Sequence, residues 1–405
     1  MAGIREHKTD LRQQMRQESI EDLQDEYEIL DRIDEDYERK LSHRRRRIVI
    51  TVAIIVLLLA AVLIVMIFQT YDSVQVLRNH DLSDAGNNGY ESFAGDILKY
   101  NCDGVSLMNA NGEDKWNQAV QIQQPAAVVN GDYAVVADVT GTDVYIFDEK
   151  GLCGQASCSK PIEKASVSAG GIVTVIQENG ATPVVSCFND AGELLLEHQA
   201  ALNETGYPIA AAVSDDGEVL AVSYMKISQQ GVGGQVIYYD LKTKDKDKKL
   251  FTKETDQEAV GEIWFMGDTS VVIGETGCLV YKGIKKPELK KELSFEGEIE
   301  KIFHDDRYFG FVTREQSGSR KLTVCGRSGS VKLEKTMPGS FEKVSFTDNQ
   351  IILYSGQTCS IYTLKGIHRF DGQLQDHALF MAPLKGLNRY AVVTNDGITT
   401  VHLTK

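Results

Sequence analysis

Residues 125–138 read PAAVVNGDYAVVAD: an apolar run, an Asn-Gly-Asp turn and a second apolar run that ends on an acid. Apolar runs this short, bounded by turn residues, are strands, and Asn-Gly supplies the positive φ that a tight hairpin needs. The arrangement returns as EKASVSAGGIVTVI from Glu163, PIAAAVSDDGEVLAVS from Pro208, EIWFMGDTSVVIG from Glu262, EKIFHDDRYFGFVT from Glu300, EKVSFTDNQIILYS from Glu342 and ALFMAPLKGLNRYAVVT from Ala378. The starts fall roughly 30 to 55 residues apart, most near 40,.

A third strand and its turn repeat as well, in SLMNANGEDKW (106–116), YIFDEKGLCGQ (145–155), SCFNDAGELLL (186–196) and TVCGRSGSVKL (323–333). Each turns through Gly112, Gly151, Gly192 or Gly329, and a side chain follows four residues later at Trp116, Gln155, Leu196 or Leu333. Glycine suits such a turn because it reaches positive φ without a Cβ clash. A four-stranded unit of about 40 residues cannot bury both faces alone, and radial stacking of such units makes a β-propeller. Residues 90–405 therefore predict an all-β domain of seven to eight blades. A β-sandwich, the competing arrangement, gives no reason for a regular period. The last unit, 378–403, has three apparent strands, and 96–119 supplies strands without a clear partner. Ring closure by an N-terminal strand completing the last blade explains both.

Asn109-Ala110-Asn111-Gly112 with Trp116 resembles the blade motif of quinoprotein-like and WD-repeat-like propellers, in which the tryptophan packs on the neighbouring blade. Of the four repeats, Trp116 alone keeps that residue. The whole layout is similar to a functionally uncharacterised family of single-pass membrane proteins common in clostridial-type Gram-positive bacteria. That resemblance implies a cell-envelope protein and carries no catalytic residue onto this chain. Likeness to the outer-membrane assembly propeller of Gram-negative bacteria suggests scaffolding by analogy.

Upstream, Ile48–Phe68 (IVITVAIIVLLLAAVLIVMIF) runs without a charge, and Thr51 is its only polar residue. At about 1.5 Å per residue it spans roughly 30 Å, the depth of a bilayer core. A core helix would keep a polar face, and a cleaved signal would show a shorter apolar run and a small-residue cleavage site. The expectation is an uncleaved transmembrane anchor. Arg44, Arg45, Arg46 and Arg47 abut its N-terminal end, so the positive-inside rule places residues 1–47 in the cytoplasm and the remainder outside. Within the charged tail, Ile20, Leu23, Tyr27, Leu30, Ile33, Tyr37 and Leu41 form one apolar stripe, predicting an amphipathic helix over about 19–41,. It suits self-association or a cytosolic partner, against a solvated juxtamembrane helix as the simpler reading. Residues 69–89 read as a polar linker.

The chain has 405 residues, 43 Lys plus Arg against 58 Asp plus Glu, and a net charge of −15. Residues 69–405 carry −13 of it, so nucleic acid, which needs clustered cations, is excluded as a partner. Lysines cluster only at 242–253 and 285–291, suited to wall polymer, to lipid head groups, or simply to solvated edge strands,. The sequence contains no HExxH, CxxC, GxSxG elbow, Walker loop or EF-hand spacing,. No metal site, cofactor or catalytic residue is therefore expected. The seven cysteines lie mostly in apolar runs, and Cys153 with Cys158 forms the best disulfide candidate,. Together these features predict a non-enzymatic envelope scaffold that binds an outer protein or wall polymer. A transmembrane sensor is the alternative, and a propeller hydrolase or quinoprotein the third reading, because propellers build channel sites from residues distant in sequence.

Overall fold

Among the described residues, alternating short apolar runs and turn residues give 32 strands in eight antiparallel four-stranded sheets. The computed structural model describes residues 46–405 except 63, 66, 67, 83, 84, 229, 230, 244–247, 256–259, 338–340, 348, 385 and 387. Its sheets are the blades of an eight-bladed propeller. Blade 1 covers 89–119, blade 2 covers 125–157, blade 3 covers 162–199 and blade 4 covers 207–255. Blades 5, 6 and 7 cover 260–294, 298–337 and 343–373. Blade 8 is composite: Phe380–Pro383, Arg389–Val393 and Gly397–Thr404 pair with Ser73–Asp81, which forms its outermost strand.

Burial follows position within the blade. In blade 3 the two middle strands, Val173–Gln177 and Val184–Phe188, are buried at every residue, while the outer strand Leu194–Gln199 alternates. Middle strands pack against neighbouring blades on both faces, which is why their sequences run continuously apolar. Most hydrophobic clusters join two successive blades; one, for example, joins Val135 and Ile146 of blade 2 to Val173 and Val175 of blade 3.

Ser73–Asp81, read from sequence as part of a polar linker, is the strand that closes the ring. It pairs with the last strand from Ser73↔Thr404 to Asp81↔Gly397. Only alternate side chains of an outermost strand are packed, so two valines, Val74 and Val76, suffice to seat it on the core. Just upstream, Tyr71 bridges in parallel to Phe370 of blade 7, so the closing segment grips both sides of the seam. The strands of 96–119 have partners of their own, since with Gly89–Phe93 they make a complete blade 1.

The remaining sequence expectations concern a separate unit, residues 1–69. Residues 46–62 are helical, as are 64, 65 and 68, and the described side chains of 48–62 are exposed. Among the described residues no helix is long and apolar enough to cross a membrane. Arg46 and Arg47 are the first described residues of this helix, and the Arg47 carbonyl accepts from Thr51 Oγ1 at 2.9 Å. Arg44, Arg45 and the expected tail helix over 19–41 lie outside the described residues.

Candidate functional site

The recurrent glycine turns sit where an outer strand meets the next blade. Gly112, Gly151, Gly192 and Gly329 all have positive φ, from 74° to 128°. After the turn, Trp116 stacks on Phe147 of blade 2 at 5.3 Å with the rings 1° from parallel, and its Nε1 donates to the Glu149 carbonyl at 3.1 Å. Leu196 is buried beside Ile237 and Tyr239 of blade 4, and Leu333 beside Tyr362 of blade 7. Blade 2 departs from the expectation at Gln155. Its turn is tighter, so the residue opposite Ile146 is Gly154, equivalent to Trp116 opposite Leu107. There the backbone itself makes the approach: a Cβ on Gly154 would lie 2.2 Å from the Asp190 carbonyl oxygen.

Cys153 and Cys158 are both free thiols. Cys153 lies in the outer strand Gly151–Ser157 and Cys158 follows it directly. Five residue steps of extended chain separate the two by roughly 16 Å, more than twice the Cα span a disulfide can bridge. Burial and nearby acids push the Cys158 thiol up to about 12, so it is packing material.

The inner strands converge on the propeller axis, where blades 2 to 6 enclose a cavity of about 240 Å³. Its wall is largely small and apolar, with Val128, Ala165, Ala211 and Ala212 among its residues. Lys164 of blade 3 crosses this space to form an ion pair with Glu262 of blade 5, and also donates to the Gly261 carbonyl at 3.1 Å. The reach passes over blade 4, which lines the cavity with Ala211, Ala212 and Val213, and it pinches the channel. Beside the pinch, His304 packs on Trp264 at 4.3 Å. Burial pushes its imidazole down to about 4, leaving it neutral near pH 7 and a poor general base,.

Each inner strand of blades 3 to 6 carries a bulge near its start, skipping Glu163, Ile209, Gly261 and Glu300. A bulge re-aims the chain locally, and in blades 3 and 6 the skipped residue is an acid, Glu163 or Glu300, near the mouth of the channel. Tyr207 donates to Glu163 at 2.6 Å. Glu300 accepts from Arg320 Nε at 3.0 Å and lies 2.7 Å from Arg314 Nε, which together hold its carboxyl below the usual range, the Arg320 hydrogen bond being the larger cause. This mouth opens on the distal face, opposite the terminal face where Ser73 pairs with Thr404. Beside it a cleft of about 610 Å³ runs between blades 5 and 6, with Glu262 shared by cleft and channel.

Farther round the channel, Glu91 of blade 1 lies in an environment dry enough that burial raises its carboxyl to about 7, against a smaller lowering by Lys343. Lys343 donates to the Leu379 carbonyl at 2.8 Å. Because the folded-state value lies above the ordinary 4.5, Glu91 favours the folded state most below pH 4.5. That contribution falls as pH rises, and it is lost once pH passes about 7,. Glu91→Gln is therefore expected to stabilise the protein at pH 8, by up to about 3 kcal/mol, and to have little effect at pH 4. Urea unfolding at both pH values measures this, and an equal effect at the two would contradict it.

No group of three or more His, Cys, Asp or Glu positioned to hold a metal ion occurs among the described residues. A family model described as "Family of unknown function (DUF5711)" matches residues 67–403. The chain belongs to this family. The match covers the propeller from its closing strand to its last. No curated protein matches the sequence. Among solved structures, BamB from Moraxella catarrhalis aligns over 82% of this chain and 100% of its own, at 12% identity and a TM-score of 0.51. Sqt1 from Saccharomyces cerevisiae aligns over 83% and 100%, at 10% identity and a TM-score of 0.50. At such identities the likeness concerns the propeller fold alone.

None of the groups at the channel mouth forms a motif in sequence. Lys164 and Glu262 are 98 residues apart, and the only local trace is the acid or lysine that opens several inner strands.

Proposed function

We propose that this protein is a membrane-anchored, extracytoplasmic propeller that binds a protein partner through its distal face and performs no catalysis. Ile48–Phe68 would be the single spanning segment, with the Arg44–Arg47 run on the cytoplasmic side. The layout of charged tail, apolar segment and propeller would fit a clostridial-type envelope protein. The observation that carries the binding role is the channel mouth: the axial passage is crossed by the Lys164–Glu262 pair, while the acidic, grooved surface around it is open. A channel crossed by an ion pair leaves little room for a substrate, whereas a broad face of loops suits a protein surface.

Two native thiols test the topology. Cys102 and Cys153 are exposed and the other five cysteines are buried. A membrane-impermeant maleimide is expected to label intact cells as fully as permeabilised ones, with the signal lost in Cys102→Ser/Cys153→Ser. Labelling only after permeabilisation would place the propeller inside. For the partner, a photo-crosslinking residue at position 178, on the distal face, is expected to trap a discrete protein. One at position 149, on the terminal face, is expected to trap far less. Equal or absent capture at both would defeat the distal-face reading.

A further inference from the structure

We infer that the cleft between blades 5 and 6 receives the lysine or arginine side chains of an extended segment of the partner protein. This rests on the distal-face reading above and specifies its chemistry. The inner strands of blades 4 and 5 lie close along their length, whereas those of blades 5 and 6 make little contact. That divergence opens the 610 Å³ cleft, which falls within the range of ligand-binding pockets,. The floor is aliphatic, formed by Ile209, Ile273, Ile299 and Ile302.

The rim is acidic, with Glu262, Glu275 and Glu298 spaced around that floor. Three cations near it are already engaged. Lys164 is held by Glu262, and Arg320 is held by Glu300. Arg314 lies 2.7 Å from Glu300 and reaches Glu298 only at 3.4 Å, where Glu298 is 75% exposed. Glu275 is exposed and has no ion pair among the described residues. An aliphatic trough whose rim keeps one unpaired carboxylate, Glu275, and a second, exposed one, Glu298, held only at 3.4 Å complements a long methylene stem that ends in a cation, which buries its stem and leaves its head at the edge,. A wholly apolar ligand would leave the carboxylates desolvated, and an anionic one would be repelled.

The test uses the full-length protein in detergent micelles and a fluorescein-labelled nine-residue peptide alternating lysine with valine, which favours extended backbone. Fluorescence anisotropy at low salt is expected to give saturable binding, weakened tenfold or more by Glu275→Gln/Glu298→Gln. Glu149→Gln/Glu193→Gln, removing two exposed acids of the terminal face, is expected to change it less than twofold. Equal affinity for a norleucine-for-lysine peptide, or an unchanged isotherm in Glu275→Gln/Glu298→Gln, would overturn the inference. Crosslinking at position 178 that survives Glu275→Gln/Glu298→Gln would overturn the cleft alone. Loss of all capture in the parent protein would overturn the wider reading.

Discussion

Deletion of Ser73–Asp81 is expected to abolish the single cooperative unfolding transition of the propeller. The strand contributes the outer ladder of blade 8, the packing of Val74 and Val76, and the seam contacts of the segment just before it. Asn388 Nδ2 donates to Tyr71 Oη at 2.7 Å, and Thr399 Oγ1 donates to Asn79 Oδ1 at 3.1 Å. Without the strand, the last strand Gly397–Thr404 becomes an open edge, and a partly buried face of blade 8 meets water. The loss is on the order of 5 kcal/mol or more, comparable to the whole stability of many domains. Thermal unfolding followed by circular dichroism should show a broad or absent transition, with much of the protein aggregated through the unpaired edge. A synthetic peptide of residues 71–82 should restore part of the transition. A deletion protein melting within a few degrees of the parent would show that the strand is dispensable.

Gly192→Ala should produce the next largest loss, about 3 to 5 kcal/mol, because two penalties add. Its φ of +83° is disfavoured for any residue with a Cβ, and that Cβ would sit 2.1 Å from the Gln155 carbonyl oxygen. The obstacle is backbone of the adjoining blade and cannot swing aside as a side chain can. Gly180 provides the control, since its φ is +57° but nothing lies within 4 Å of a Cβ there. Gly180→Ala should therefore cost about 1 kcal/mol, the conformational penalty alone. Urea denaturation of the two variants separates conformational strain from collision. Equal losses would mean that blades 2 and 3 do not meet backbone to backbone.

The propeller was legible in sequence because its middle strands are buried on both faces and read as unbroken apolar runs, such as VTVIQ and VVSCF. The closing strand SVQVLRNHD was not, because an outermost strand packs only alternate side chains and its polar residues face solvent. For the same reason the blade number stayed open between seven and eight: blade 8 takes strands from both ends of the chain, and no local period can show that. Trp116 was readable at its docking position, whereas Gly154 was concealed by a turn one residue tighter than in blades 1 and 3. The cleft and channel mouth lie beyond local reading altogether. Their residues are single glutamates, lysines and isoleucines brought together by the ring, and each is ordinary in its own segment.

The pairing of Ser73–Asp81 with Gly397–Thr404 also has a meaning in time. The propeller's first strand to leave the ribosome finds its partner only when the propeller's last has been made, for Asn79 and Thr399 stand 320 residues apart. Blades 1 to 7 can form in order of synthesis, each stacking on the one before. The eighth cannot exist until Gly397–Thr404 has been made. A product cut short anywhere before Gly397 keeps an orphan strand at its beginning and an unfinished seam at its end, both ready marks for a protease or a chaperone. Ring closure thereby doubles as a check that the propeller segment, residues 73–404, is whole.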